Sequence, residues 1–149
     1  MDYVTNTQVI EHVPDEHKLL GEIRRMLRPG GTLYIASVVK KWYGWFYYRT
    51  AEGKWALDPT HLREYESLEQ FEALIRSGGF QIIESKITPL QLSLMEFLVR
   101  RLVFPVFKPT DINGLFSRHR FLDFLRRNLN IHPPGYYIVE VVATKDLGI

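Results

Sequence analysis

The spacing of apolar residues changes along the chain, and each change marks an element. Tyr3, Val4, Thr5, Thr7, Val9 and Ile10 are strand formers, and helix signals are absent, so residues Asp2 to Ile10 read as extended. Pro14 and Asp15 then predict a helix start, with proline in the first turn and acidic residues at the positive end of the helix dipole. Leu19, Leu20, Ile23, Met26 and Leu27 recur at helical spacing and define one apolar face. Arg24, Arg25 and Arg28 fall near the negative end, and Pro29-Gly30-Gly31 stops the helix. Thr32 to Val39 is a nearly continuous β-branched and apolar run, as for a strand buried on both faces. Strand, helix and strand in this order predict a parallel crossover.

A long connection follows, from Lys40 to Tyr65. It holds Trp42, Tyr43, Trp45, Phe46, Tyr47, Tyr48, Trp55 and Tyr65. Connections this long in a compact domain are usually lids or binding loops. Ser67-Leu68-Glu69-Gln70 is a capping box that predicts a helix to about Ser77, with Phe71, Leu74 and Ile75 inward and Gly78-Gly79 at its end. Phe80 to Ile87 alternates as a strand. The pattern then breaks. Leu92, Leu94, Met95, Leu98, Val99 and Leu102 predict an amphipathic helix. Phe116, Phe121, Leu122, Phe124, Leu125 and Leu129 suggest another, flanked by Arg118, Arg120, Arg126 and Arg127. Pro133-Pro134-Gly135 is a turn, and Tyr136 to Thr144 reads as the last strand.

Composition narrows the classes. The 149 residues are 46% hydrophobic and 24% charged, which predicts one packed domain rather than disorder. A net charge of +2 is too small to imply a nucleic-acid partner. There are no cysteines, so disulfides, thiolate catalysis and thiolate metal sites are excluded. The stretch MDYVTNTQ has neither the basic nor the apolar region of a signal peptide. No apolar run reaches the roughly 18 residues of a spanning helix. A cytoplasmic setting is the expectation.

Two stretches carry a resemblance. DYVTNTQVIEHVPDEHKLLGEIRRMLRPGGTLYI is similar to the middle of class I S-adenosylmethionine-dependent methyltransferases, where D-x-V…V-L/I-E-H-V at the fourth strand is followed by a helix, L-x-P-G-G and the fifth strand. DPTHLREYESLEQFEALIRSGGFQII resembles the segment after strand five in members that act on small molecules, including the ubiquinone-biosynthesis type. The resemblance implies an α/β fold: the carboxyl-terminal part of a Rossmann-like methyltransferase domain, with sheet order 4-5-7-6 and an antiparallel last strand. The 149 residues are expected to form a single partial domain. Residues 1–88 and 134–149 would make the sheet and its helices, and 89–133 a helical cap inserted between them. The family's first strand ends in a Gly-rich turn, roughly E/D-x-G-x-G-x-G, that cradles the cofactor. Here the double glycines are Gly30-Gly31 and Gly78-Gly79, and both end helices.

The resemblance also implies roles. Gln8, Val9, Ile10 and Glu11 would stand at the carboxyl end of strand four, facing S-adenosylmethionine. The alternative is that Val9 and Ile10 are core and Glu11 caps the next helix. His61 would be the catalytic base for a hydroxyl or amine acceptor, with Arg63 holding an anionic substrate group and Tyr65 lining the pocket. Equally, His61 and Arg63 could anchor their loop. Trp42 and Trp45, with Tyr47 and Tyr48, could build an apolar substrate pocket or simply core beneath the loop. No metal site is expected, because His12 and His17 do not share a helix face and H-E-x-x-H is absent.

Three functions compete. One is methyl transfer to a small, apolar or lipid-like molecule, with this chain as the carboxyl-terminal half. The second is a non-catalytic half-domain that self-associates, most simply as a homodimer joined through the edge strand at residues 2–10. The third is a peripheral membrane protein acting through the basic helical segment.

Overall fold

The computed structural model describes residues 1–44, 48–49, 55–56, 58, 60–98 and 112–146. The chain divides into two compact units, Met1–Pro89 with Pro134–Ile149, and Leu90–Pro133.

The first unit is built on a four-stranded mixed sheet. Its strands are β1 (Tyr3–Thr7), β2 (Thr32–Lys40), β5 (Phe80–Pro89) and β8 (Tyr136–Lys145). The order is β1-β2-β8-β5. β1 and β2 are parallel, from Tyr3 opposite Thr32 to Thr7 opposite Ala36. β8 runs antiparallel to both β2 and β5. In the numbering of the methyltransferase sheet this is 4-5-7-6 with strand seven reversed.

Helix α1 (Glu16–Met26) links β1 to β2. Asp15 is its N-cap, and its side chain accepts from the Lys18 amide at 2.9 Å. Pro14 therefore precedes the cap rather than occupying the first turn. At the other end Lys145 Nζ donates to the Arg24 and Leu27 carbonyls, each at 2.7 Å, placing a cation on the negative end of the dipole. Helix α2 (Leu68–Ser77) starts as its capping box predicts: the Gln70 amide donates to Ser67 Oγ at 3.1 Å. The return bond reaches one residue further back, from the Glu66 amide to Gln70 Oε1 at 2.7 Å.

Both helices pack on one face of the sheet. Leu20, Ile23 and Leu27 of α1 and Phe71, Leu74 and Ile75 of α2 bury with Leu33, Ile35, Val39, Val139, Val141 and Ala143. The helices approach closely because residue 78 is glycine: a Cβ there would lie 3.0 Å from Leu20. The opposite face carries a polar ladder across three strands. Tyr34 donates to Glu140, and Lys86 Nζ lies 3.1 Å from Glu140 Oε2.

β1 is shorter than its composition predicts. It ends at Thr7, because Gln8 takes a positive φ of 55° and Ile10–His12 forms a 3₁₀ turn. This is a left-handed backbone at a non-glycine residue, a conformation that packing must enforce. The long connection contains a small antiparallel pair, β3 (Tyr48–Arg49) with β4 (Trp55–Ala56).

The second unit has its own two-stranded pair, β6 (Leu92–Ser93) with β7 (Asn130–Ile131). α3 covers only Leu94–Leu98 of the expected longer helix; Val99 and Leu102 lie outside the described residues. The second expected helix is two, α4 (Ile112–Arg118) and α5 (Arg120–Asn128). His119, extended at φ −124° and ψ 92°, breaks them.

Candidate functional site

The site forms where β1 stops. Beyond Ala36, β2 loses its β1 neighbour, and the end of the long connection takes that place. Tyr65 bridges Val39 in parallel, with the Lys40 amide donating to Tyr65 O at 2.7 Å and the Tyr65 amide to Val38 O at 3.2 Å. The connection also docks on the 3₁₀ turn, where the Leu62 amide donates to Glu11 O at 2.9 Å. Residues 8–16 are thereby brought together with residues 58 and 60–65 at the carboxyl end of a parallel strand, the position where open α/β sheets bind ligands.

Glu11 is fully buried. Its Oε2 accepts from Ser37 Oγ at 2.9 Å, and its Oε1 has no hydrogen-bond partner among the described residues. A buried carboxylate with one neutral donor is unusual, since such groups are normally paired or metal-bound. His12 and His61 stand beside it, their rings edge-on at 4.8 Å between centroids. His12 Nδ1 lies 3.2 Å from the Thr60 carbonyl. His61 Nδ1 lies 3.2 Å from Glu64 Oε1, and its side chain is 6% exposed. A carboxylate and a carbonyl can only accept, so in the neutral form of each ring Nδ1 is the protonated nitrogen and Nε2 the acceptor.

Glu11, His12 and His61 each offer a ligand atom within 4.8 Å of the others. A carboxylate with two imidazoles is a donor type that suits zinc and similar divalent ions. Local spacing pairs His12 with His17, but the third donor comes from the far end of the long connection.

Asp58 belongs to the same cluster. Burial works against its charged form. The Thr60 hydroxyl and amide, with His61 and His12 behind them, outweigh that and hold its carboxyl below the usual range. Tyr65 is buried, edge-on to Phe71 at 4.7 Å between centroids. Burial, and next the charge of Glu16, push its hydroxyl well above the usual phenol range.

The remaining expected residues are placed as follows. The Arg63 guanidinium donates to the Ile10 carbonyl at 3.1 Å, to those of Val13 and Pro14, and pairs with Glu16 at 2.9 Å. It clasps the segment between β1 and α1. Of the four residues expected to face the cofactor, Ile10 is in the core, Glu11 is buried, and Gln8 and Val9 are exposed. Trp42 is 94% exposed and touches Tyr43 edge-on. Trp45 and Tyr47 lie outside the described residues. Ser37, Glu64, Asp58 and Thr60 were missed by sequence reading. Ser37 is the one polar side chain at the centre of an otherwise apolar strand, and that was its signal.

Comparison with known proteins gives the family. The profile described as "Methyltransferase domain" matches residues 1–85, more than half of the chain. The chain is 32% identical over 89 residues to the ubiquinone biosynthesis O-methyltransferase of Brucella anthropi, covering 56% of this chain and 35% of that one. It is also 32% identical over 83 residues to a Mycolicibacterium smegmatis protein named "Probable S-adenosylmethionine-dependent methyltransferase", covering 55% and 29% respectively. The chain thus spans about a third of the length of these curated relatives. Among solved structures, the [4+2]-cyclase SpnF aligns over 99% of this chain and 52% of its own, with a TM-score of 0.59 and 21% identity. A phosphoethanolamine N-methyltransferase of Haemonchus contortus, solved with S-adenosylhomocysteine, aligns over 98% of this chain and 34% of its own, with a TM-score of 0.50 and 18% identity. These structures show the shared fold. The chain belongs to the methyltransferase domain family. Within it, the residues around Glu11 and His61 define a carboxylate–imidazole cluster at the ligand end of the sheet.

Proposed function

We propose that this chain forms the acceptor side of an S-adenosylmethionine-dependent methyltransferase, acting on a small, apolar or lipid-like molecule. The observation that carries this reading is the convergence of Glu11, His12 and His61 at the carboxyl end of β1, inside the segment that the family profile matches. His61 is the base. Glu64 orients its ring, and Nε2 takes the proton from the acceptor hydroxyl or amine as the methyl group transfers. Gln8 and Val9 are the exposed residues that line the cofactor edge. The aromatic density of the 42–65 connection supports an apolar acceptor. The SpnF match is a reminder that this fold also serves other chemistry, so the site and not the fold carries the argument.

The sequence has no Gly-rich cofactor turn. The 149-residue chain is therefore expected to show negligible cofactor affinity and no turnover by itself. Isothermal titration with S-adenosylhomocysteine tests this; submillimolar binding would overturn the division of labour. Fusing a segment that carries a Gly-rich cofactor turn upstream of the chain is expected to restore binding. In that fusion His61→Gln should lower kcat while leaving cofactor affinity intact. An unchanged kcat would remove His61 as the base.

A second reading rests on a different observation. β1 is paired on one side only among the described residues. An open strand edge favours self-association of a non-catalytic module.

A further inference from the structure

Helix α5 presents an unusual face. Its Phe121 and Phe124 are 71% and 59% exposed, and Leu129 just beyond it is 42% exposed. At 100° per residue, Phe121, Phe124 and Asn128 share one side with Arg120 and Arg127 at its margin. Leu122 lies on the other side and Leu125 at the border next to Phe121, and both are partly buried. Arg126 lies on the side of Leu122, over the Phe116 ring at 5.1 Å. Among the described residues, the apolar surface of this helix is thus only partly covered, and Phe121 and Phe124 stand outside the covered part.

Positive charge prevails around the exposed phenylalanines. From Arg118 to Arg127 there are four arginines against the single Asp123. Asp123 pairs with Arg127 at 2.8 Å, an exposed contact that phosphate can readily replace. Arg118 and Arg120 are exposed and have no ion-pair partner among the described residues. Aromatic side chains ringed by arginines are suited to an anionic bilayer surface: rings enter the headgroup boundary while guanidinium groups reach the phosphates. A protein groove would have to match both features at once, whereas a bilayer offers both everywhere. No described helix is long and apolar enough to cross a membrane, so the contact lies along the surface.

We propose that α5 docks the Leu90–Pro133 unit on anionic lipid, with Phe121 and Phe124 inserted and Arg118, Arg120 and Arg127 on the lipid phosphates. This goes beyond the methyl-transfer reading and stands without it.

The test is flotation of the 149-residue chain with phosphatidylcholine vesicles, with and without phosphatidylglycerol, at low and high salt. Binding is expected to the anionic vesicles at low salt and to fall steeply at high salt. Each arginine near an anionic surface contributes about fivefold in partitioning, so Arg118→Gln with Arg120→Gln should weaken binding about 25-fold. Phe121→Ser with Phe124→Ser should abolish it. These side chains are exposed, so both variants are expected to fold, and circular dichroism checks that. Three results would overturn the proposal: no binding to anionic vesicles at low salt, equal binding to neutral vesicles, or unchanged binding by the phenylalanine variant. Self-association without vesicles that disappears in that variant would also overturn it, assigning the face to a second copy of the chain.

Discussion

Arg63 shows how much one side chain holds together here. It reaches three backbone carbonyls on the segment between β1 and α1, and Glu16 at the start of α1. Charge-assisted hydrogen bonds contribute roughly 1.5–3 kcal/mol each when a partner is removed. These bonds share one cation, so Arg63→Ala should cost about 3 kcal/mol of unfolding free energy. Arg63→Lys should recover less than half, because an ammonium cannot fork across three carbonyls. Urea denaturation measures both, and a loss below about 1 kcal/mol would show that the clasp matters little. Glu11 gives the opposite expectation. Glu11→Gln keeps the Ser37 contact and removes a carboxyl group from a fully buried site. Stability should hold or rise by about 1–3 kcal/mol. A clear loss would mean that the carboxylate is better satisfied than its one hydrogen bond indicates. The anchoring role of Arg63 was one of two that the sequence left open, and the burial of Glu11 was not legible in it. His61 and Glu11 stood out through their motifs, but their meeting depends on where the 3₁₀ turn puts residue 11. Arg63 reads equally as an anion clamp and as a loop anchor, because a sequence does not show backbone carbonyls converging.

Elements were more legible, and for a physical reason. The capping box at Ser67, the Pro-Gly-Gly stop after α1 and the β-branched run of β2 are local signals, and each acts where it stands. What failed was non-local. β1 stops early because Gln8 turns left-handed, and the expected helix over residues 92–102 begins as a strand because Leu92 and Ser93 pair with Asn130 and Ile131. The link between β2 and β8 makes a prediction of its own. The hydrogen bond to Glu140, first, and partial burial push the Tyr34 hydroxyl up to about 12. The same bond, first among the causes, holds the Glu140 carboxyl below the usual carboxylate range, with Lys86 assisting against burial. A raised phenol stabilises the fold fully below its unfolded value of about 10 and loses that contribution as pH rises toward 12. A depressed carboxyl stabilises above its unfolded value of about 4.3 and loses that contribution as pH falls through its lower folded value. Tyr34→Phe should therefore flatten the stability profile at both ends, between pH 10 and 12 and below about pH 4. Denaturation midpoints across pH read this directly. A variant whose profile overlays the parent would remove the Tyr34–Glu140 bond from the account.

At the scale of the whole molecule, the outer edge of β1, unpaired among the described residues, decides whether the chain self-associates. The backbone phase of that strand makes the question testable. The Thr32 amide donates to Asp2 O at 2.9 Å, and the Gln8 amide donates to Ala36 O at 3.0 Å. Even-numbered residues of β1 thus point their peptide groups at β2, and Tyr3, Thr5 and Thr7 point theirs outward. A two-fold dimer joined edge to edge would use these outward groups, with each strand pairing antiparallel to its copy. Thr5→Pro removes an outward amide and leaves the β1–β2 bonds in place, the one setting in which a strand accepts proline. If the edge mediates self-association, sedimentation should show a concentration-dependent dimer for the parent chain and a monomer for Thr5→Pro. The two should differ little in urea midpoint when compared at low concentration, where dimerisation no longer adds to stability. A parent chain that stays monomeric across the concentration series would discard the dimer. A Thr5→Pro chain that still dimerises would move the interface elsewhere, and the exposed phenylalanines of α5 would be the next surface to test.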